Sequence, residues 1–190
     1  MASCVLVLLA TAFLPILGAE FAWVTIHWSA GVSLAALVVV HTVRSLGWKS
    51  FTPMWLSSRD LDDLRRQVEW HLRRSDQLPG KPGKYSIAQK LIHHCFAAVV
   101  LTTIVTGSVM LAKIDTPWWD RDPYLLSDRV WGVVYALHDL AALMMITMVM
   151  THVYFALRPE KLVFLRAMVF GWITRQEYEG NHDPTRWRVD

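Results

Sequence analysis

Four stretches of almost uninterrupted apolar residues dominate the chain, and the polar residues are concentrated in the segments between them. The apolar stretches cover residues 3–19, 22–46, 87–112 and 130–157. A helix needs roughly 20 apolar residues to cross the hydrocarbon core of a bilayer. Helices are expected because backbone groups in lipid must find hydrogen-bond partners within their own segment. The pattern therefore predicts an all-α integral membrane four-helix bundle, with the whole chain forming a single membrane domain.

The longest polar segment, residues 44–90, holds ten Lys or Arg against five Asp or Glu. Apolar residues recur at helical spacing over residues 58–74, which predicts an amphipathic helix on the membrane surface with Ser58 as its N-cap. The excess of positive charge places this segment on the cytoplasmic side. Residues 160–190 are expected to form a second surface helix, over 160–178, and a solvated polar tail that includes His182. The C-terminus is then cytoplasmic.

Composition narrows the function classes further. A net charge of +3 in a chain that is 54% hydrophobic does not indicate nucleic-acid binding, because the basic residues flank the apolar stretches. Cys4 and Cys95 form neither CxxC nor CxxCH, so neither a disulfide framework nor covalent haem attachment is predicted. The first stretch lacks a basic leader and a convincing cleavage site, and it is interpreted as a short membrane helix rather than a signal peptide.

Four histidines within the second and fourth stretches share one spacing, since His27 and His41, like His138 and His152, are 14 residues apart. On a helix the two members of a pair project within about 40° of each other and lie roughly 21 Å apart along the axis. If the two helices run in the same direction, His27 is level with His138 and His41 with His152. Opposed neutral imidazoles in an apolar slot suit haem iron. The pattern predicts two haem b groups, an outer one and an inner one, although a single membrane histidine can also simply bond a neighbouring carbonyl.

Several other residues are candidates for the same sites. Gly31 and Gly107 would let a flat macrocycle approach a helix, or they serve close helix packing. Arg44 is a candidate partner for a haem propionate, or it only marks a helix end. His93 and His94 are rivals to His41 as the fourth haem ligand, and otherwise they are expected to bond a quinone or a propionate. The remaining candidate cations for the propionates are Lys90, Arg129 and Arg158.

Residues 83–90 read GKYSIAQK and precede the third apolar stretch, which contains Val105-Thr106-Gly107. With the two histidines 14 residues apart in the fourth stretch, this sequence resembles the cytochrome b (gamma) subunit of respiratory formate dehydrogenases. Related subunits serve hydrogenases and thiosulfate reductases. His27-Trp28-Ser29-Ala30-Gly31 is similar to the His-Pro-x-x-Gly opening of the second helix in that family. The likeness covers about residues 20–175.

The resemblance implies a di-haem electron-transfer subunit in a multi-pass complex of a bacterial-type inner membrane. Such a subunit takes electrons from an iron–sulfur subunit and a catalytic redox subunit on the outer side and reduces quinone near the cytoplasmic face. His27 and His138 then hold the outer haem, and His152 is one ligand of the inner haem. The family takes its other inner ligand from the first helix, which has no histidine here, so His41 is the natural substitute.

The segment near the family's quinone site departs from the family pattern. Ser86 and Ala88 stand where the family has Asn and Gly. The candidate quinone contacts of this chain are Ser86, Lys90, His93 and His94.

Two other functions are compatible with the same pattern. A quinol-oxidising cytochrome b would pass electrons to an outer-side c-type cytochrome, and a haem-free membrane anchor would use its histidines only for structure. No catalytic residue is predicted within the chain, because substrate chemistry would reside on partner subunits.

Overall fold

The computed structural model describes residues 1–47, 52–74, 76 and 80–188. The fold is all-helical, with 73% of residues in helices and no strand in the described part of the chain, as the apolar pattern predicted. The described residues form seven α-helices, which in chain order are α1 (Ala2–Phe13), α2 (Trp23–Gly47), α3 (Ser58–His71), α4 (Ile87–Met110), α5 (Asp128–Ala156), α6 (Leu162–Phe170) and α7 (Arg175–Asn181).

Three helical segments in the described residues are long and apolar enough to cross a membrane. They are Trp23–Gly47, Ile87–Lys113 and Asp128–Ala156, and they match three of the four predicted stretches. The first apolar helical segment, Ala2–Leu17, is shorter than predicted. It ends early because Pro15 converts the last turn to a 3₁₀ turn and Gly18 then takes a left-handed conformation with φ of 89°.

The three long helices bury little of their own surface. In the most apolar part of α2 only 6% of the residues are buried inside the protein, and the corresponding value is 11% for both α4 and α5. Apolar surface on this scale is found where lipid or a partner covers a protein. Their outward faces therefore fit a bilayer, as hydropathy indicates.

The chain divides into two compact units, of which the first comprises residues 1–47 and 96–150. Within it α1 packs against α2. Its small core is built on Val99 of α4 and on Ala141 and Met145 of α5, all at most 5% exposed. The partly buried residues packed on this core are Val5, Leu9, Phe96, Val100, Met148 and Val149. The core therefore ties the short α1 to the two long helices α4 and α5.

Aromatic residues fix the loop between α4 and α5 in this unit. The indole of Trp131 donates a hydrogen bond to the carbonyl of Pro123 at 3.0 Å, and the ammonium group of Lys113 lies 4.5 Å from a Trp131 ring centre. Trp118, in the loop, contacts Trp28 of α2 edge to face at 5.9 Å. These contacts hold the loop against the ends of the spanning helices on the side predicted to be the outer one.

The second unit comprises residues 48–95 and 151–190. In it α3 begins at Ser58, so its N-cap is Ser57, one residue before the predicted Ser58. The Asp60 carboxylate accepts the Ser57 backbone N–H at 2.7 Å. The ammonium of Lys90, at the start of α4, donates to both Asp60 oxygens, at 2.9 and 2.8 Å, and to the Trp55 carbonyl at 3.1 Å. This buried ion pair fastens the amphipathic helix to α4.

The helix predicted over residues 160–178 is divided into α6 and α7. Gly171 ends α6 in a left-handed conformation with φ of 77°. Thr174 then caps α7: its hydroxyl accepts the Glu177 N–H at 3.2 Å, and the Glu177 carboxylate accepts the Thr174 N–H at 2.8 Å. The prediction was wrong here because helical periodicity does not show that a glycine will stop a helix.

The C-terminal segment is folded rather than solvated. His182 is only 6% exposed, and its Nδ1–H donates to the Gly83 carbonyl at 2.8 Å. Its ring packs against Tyr178, Trp187 and Phe164. Arg186 donates to the Asp63 carboxylate of α3 at 2.7 Å. The expected solvated tail is therefore wrong, since aromatic packing and these polar contacts hold the segment against the loop before α4.

The Asp60–Lys90 pair gives a stability prediction. Burial alone would raise the pKa of Asp60, but the hydrogen bonds from Lys90 and Ser57 outweigh it and hold that pKa below its ordinary value. The stabilisation is therefore present above about pH 4 and is lost as the pH falls through the lowered pKa. Replacing Asp60 by Asn leaves the Lys90 charge buried without a counter-ion and should lower the free energy of unfolding by about 3 kcal/mol.

Thermal unfolding in detergent between pH 3 and pH 7 measures this effect. The unfolding temperature of the wild type should fall as the pH approaches 3. Asp60→Asn should unfold at a lower temperature than the wild type at neutral pH, and its unfolding temperature should depend less on pH in the acid range. Asp62→Asn, on an exposed carboxylate of the same helix, is the control. Equal stability of the wild type and Asp60→Asn at neutral pH would contradict the role of the pair.

Candidate haem-ligating site

The first unit brings two of the predicted ligands together. The ring centres of His27, in α2, and His138, in α5, are 6.2 Å apart, and their planes are inclined at 70°. Both side chains are half-buried. The equal spacing along the sequence predicted this pair, and the structure places the two rings next to each other.

A threonine from the short first helix holds His27. The Thr11 hydroxyl lies 2.8 Å from Nδ1 of His27 and also donates to the Val7 carbonyl at 2.8 Å. Thr11 is only 3% exposed. The first helix, which has no histidine, therefore contributes to the site through a hydroxyl group.

A second threonine holds His138 in the same way. The Thr106 hydroxyl of α4 lies 2.8 Å from Nδ1 of His138 and donates to the Thr102 carbonyl at 2.6 Å. The next residue, Gly107, makes room for the ring, because a Cβ there would lie 3.3 Å from Cε1 of His138. The segment Val105-Thr106-Gly107 therefore positions the His138 imidazole, through the Thr106 hydroxyl and the space left at Gly107.

The residues present fit a metal held between two imidazoles. With Nδ1 engaged by a threonine in each ring, Nε2 is the remaining ring nitrogen. Metal–imidazole bonds are about 2 Å long, so two opposed ligands have ring centres roughly 6 Å apart. The 6.2 Å between His27 and His138 agrees with this value. No group of three His, Cys, Asp or Glu side chains suited to a metal ion occurs in the described part of the chain. The donor set is thus a two-imidazole set, which suits a haem iron that brings four nitrogens of its own.

The predicted inner ligands fall in different units. His41 is exposed and belongs to the first unit, whereas His152, also exposed, belongs to the second. Their pairing remains a prediction. In the second unit the rings of His93 and His94 lie 5.7 Å apart, and the His94 Nδ1–H donates to the Lys90 carbonyl at 2.8 Å. The indole of Trp55 is 5.9 Å from the His94 ring.

The other candidates have structural contacts of their own. The Lys90 charge is engaged by Asp60. Ser86 caps α4, since its N–H donates to the Gln89 side chain at 2.8 Å and its hydroxyl accepts the Gln89 N–H at 3.3 Å. Arg44 is exposed in the last turn of α2.

Packing does not require a glycine at position 31. A Cβ on Gly31 would lie 3.9 Å from Cδ2 of Leu8, an ordinary contact. Close approach of the first helix therefore does not account for this glycine, and its predicted role beside a macrocycle stays open to test.

Three residues of the site region were missed at the sequence level. Thr11 and Thr106 were available as lone hydroxyls in apolar runs, but helical threonines usually bond their own backbone and so attract no attention. Asp139 follows His138 directly and is an exposed carboxylate inside a spanning helix. Such a group is costly in lipid and usually functional, and this signal was present in the sequence.

Gly107→Ala tests whether His138 needs the space that Gly107 leaves for its ring. The added methyl would crowd Cε1 at 3.3 Å, and the ring would have to move by a few tenths of an ångström. We expect a lower yield of b-type haem per chain and a broadened absorption band. Gly132→Ala, at a helical glycine with no atom within 4 Å of its added Cβ, should leave the haem unchanged. Full haem content with an unaltered spectrum in Gly107→Ala would contradict the assignment.

Comparison with known proteins agrees with this geometry. The sequence model of the prokaryotic cytochrome b561 family matches residues 1–171, nearly the whole chain of 190 residues. No curated protein matches the chain significantly. The match supports a b-type cytochrome, but it does not extend to the formate dehydrogenase subunit that the motifs resemble. The chain therefore belongs to the prokaryotic cytochrome b561 family of membrane b-type cytochromes, which implies haem b and electron transfer.

Proposed function

We propose that this protein is the di-haem b-type cytochrome subunit of a respiratory membrane oxidoreductase. In this role it carries electrons between an outer-side iron–sulfur or dehydrogenase partner and a quinone pool near the cytoplasmic face. The observation that carries the proposal is the pair of His27 and His138, whose ring centres lie 6.2 Å apart and which belong to two helices apolar enough to cross a membrane. An anchor without haem would have no reason to hold two imidazoles at a two-ligand metal spacing.

The protein supplies position and environment at the outer site. His27 and His138 would hold the haem through Nε2, and Thr11 and Thr106 fix the other nitrogen of each ring. When bound, haem accepts and releases single electrons. Two imidazole ligands leave no open coordination position, so the site favours electron transfer over oxygen chemistry.

The inner haem is proposed to use His41 and His152. The support is the 14-residue spacing that repeats on α2 and α5, combined with the outer pair already in place. On helices of this length a second pair, four turns from the first, would lie roughly 21 Å further along the axis. His93 or His94 replaces His41 in the alternative arrangement.

A quinone is proposed to bind near His93 and His94 in the second unit. The His94 Nδ1–H is directed to the Lys90 carbonyl, so its Nε2 is the nitrogen left to serve a quinone oxygen. The indole of Trp55, 5.9 Å from that ring, offers a flat apolar surface. Quinone reduction also consumes two protons, and a histidine side chain can serve as a general acid.

Partners and orientation follow from the charge pattern and the resemblance. The basic segment before α4 favours a cytoplasmic location for that segment and for the C-terminus in a bacterial-type inner membrane. An iron–sulfur subunit and a catalytic redox subunit would then lie on the other side. The alternative partner is an outer c-type cytochrome fed by quinol oxidation. Co-purification of the native complex distinguishes the two.

Replacing the histidines one at a time tests haem ligation. Pyridine haemochrome analysis of the wild type should give two haems per chain. His27→Leu or His138→Leu should each remove one haem, the same one, and His152→Leu and His41→Leu should each remove the other. His71→Leu, on the exposed surface of α3, is the control. A wild type without b-type bands would overturn the whole proposal, and loss of haem in a His93 or His94 variant in place of His41 would reassign the inner ligand.

Quinone reduction is tested separately with haem-replete variants. His94→Leu and His93→Leu should slow reoxidation of the reduced protein by a soluble quinone by at least tenfold, a loss typical of a removed proton-transfer or hydrogen-bonding group. Their reduced-minus-oxidised spectra should match the wild type. Unchanged rates in both variants would remove these residues from the quinone site.

A further inference from the structure

We infer that Thr11 and Thr106 are positioning residues that set the tautomer, orientation and electron-donating strength of His27 and His138. The inference rests on the proposed haem ligation. It adds two residues that would act on the haem through their hydrogen bonds to the ligand histidines. One threonine comes from α1 and the other from α4, so each imidazole is held from a helix other than its own.

The direction of each hydrogen bond follows from the second contact of each hydroxyl. A threonine hydroxyl has one proton, and a backbone carbonyl can only accept. The Thr106 hydroxyl lies 2.6 Å from the Thr102 carbonyl, and the Thr11 hydroxyl lies 2.8 Å from the Val7 carbonyl, so each proton is directed to a carbonyl. Each hydroxyl oxygen is then left to accept Nδ1–H from its histidine. The lone pair of Nε2 is thereby reserved for a metal.

Backbone bonding alone does not account for these two threonines. Thr102 and Thr42 also donate to the carbonyl four residues earlier, but Thr102 is only half-buried and Thr42 is exposed. Thr11 and Thr106 are 3% and 6% exposed and reach a histidine at the same distance, 2.8 Å. A buried hydroxyl that has both a carbonyl and an imidazole partner makes a specific contact between two helices. Its repetition on the two facing rings gives the pair matched surroundings.

The acceptor on Nδ1–H matters because it raises the basicity of the ligand nitrogen. A neutral hydroxyl does this less than a carboxylate would, so the rings remain neutral donors. Removing the hydroxyl makes Nε2 a poorer donor, which disfavours the oxidised iron and raises the midpoint potential. The effect is expected at both threonines, because each hydroxyl lies 2.8 Å from Nδ1 of its histidine.

The test compares Thr106→Val, which keeps the side-chain volume, with Thr106→Ser, which keeps the hydroxyl. Redox titration and low-temperature electron paramagnetic resonance of the purified, haem-replete protein are the readouts. Thr106→Val should shift the midpoint potential of one haem to more positive values, change the g-values of its oxidised low-spin signal and leave the other haem unchanged. Thr106→Ser should resemble the wild type, as should Thr102→Val, at the half-buried threonine one turn away. Thr11→Val should shift the midpoint potential of the same haem in the same direction.

The possible outcomes separate the inference from the function it rests on. A wild type without two-imidazole haem signals would remove the proposed function. A normal wild type with unchanged potential and g-values in Thr106→Val would overturn only the role of the threonine. If Thr106→Val loses haem, a normal Thr106→Ser supports the hydroxyl. A Thr106→Ser that loses haem equally shows that side-chain packing is responsible, and it contradicts the inference.

Discussion

The opposed imidazoles of His27 and His138 are the constraint on which the arrangement of the first unit depends. Two flexible side chains on separate helices serve as a pair only if each ring is fixed, and in lipid no water is available to satisfy the second ring nitrogen. Thr11 and Thr106 solve this problem from outside the two ligand-bearing helices. This requirement explains why α1 is present without a histidine of its own, and why a glycine follows Thr106.

Few contacts within the chain hold the long helices, because most of their side chains point outward. Helix association in a membrane gains little from the hydrophobic effect, so small residues and hydrogen bonds between helices carry the specificity. The first unit follows this rule, with a core of three buried residues beside two Thr–His contacts. In the second unit the same role falls to the Asp60–Lys90 pair and to the aromatic group around His182. Both units therefore depend on a small number of buried polar contacts.

Much of the fold could be predicted from the sequence, because hydropathy and histidine spacing are direct consequences of bilayer thickness and helix geometry. The three spanning segments and the pairing of His27 with His138 follow from them. The length of the first helix did not, since Pro15 and Gly18 end it in a way that hydropathy does not register. The burial of His182 depends on contacts with Gly83 and with aromatic residues, and one of these contacts is 99 residues distant in sequence.

The roles of the two threonines were hidden for a different reason. A helical threonine that bonds its own backbone has the same local sequence whether or not an imidazole lies on its other side. Thr11 and Thr106 differ from Thr102 only in the tertiary structure, because α1 brings Thr11 to His27 and α4 brings Thr106 to His138. For the inner histidines the sequence signal is clear, since His41 and His152 follow His27 and His138 by the same 14 residues. Their pairing stays a prediction, because His41 and His152 belong to different units.

The most direct measurement is an anomalous-scattering map at the iron absorption edge from crystals of the purified protein. The account predicts an iron peak between the rings of His27 and His138, bonded to Nε2 of each. A map with no iron between these two rings, or with every iron ligated by other residues, would contradict it.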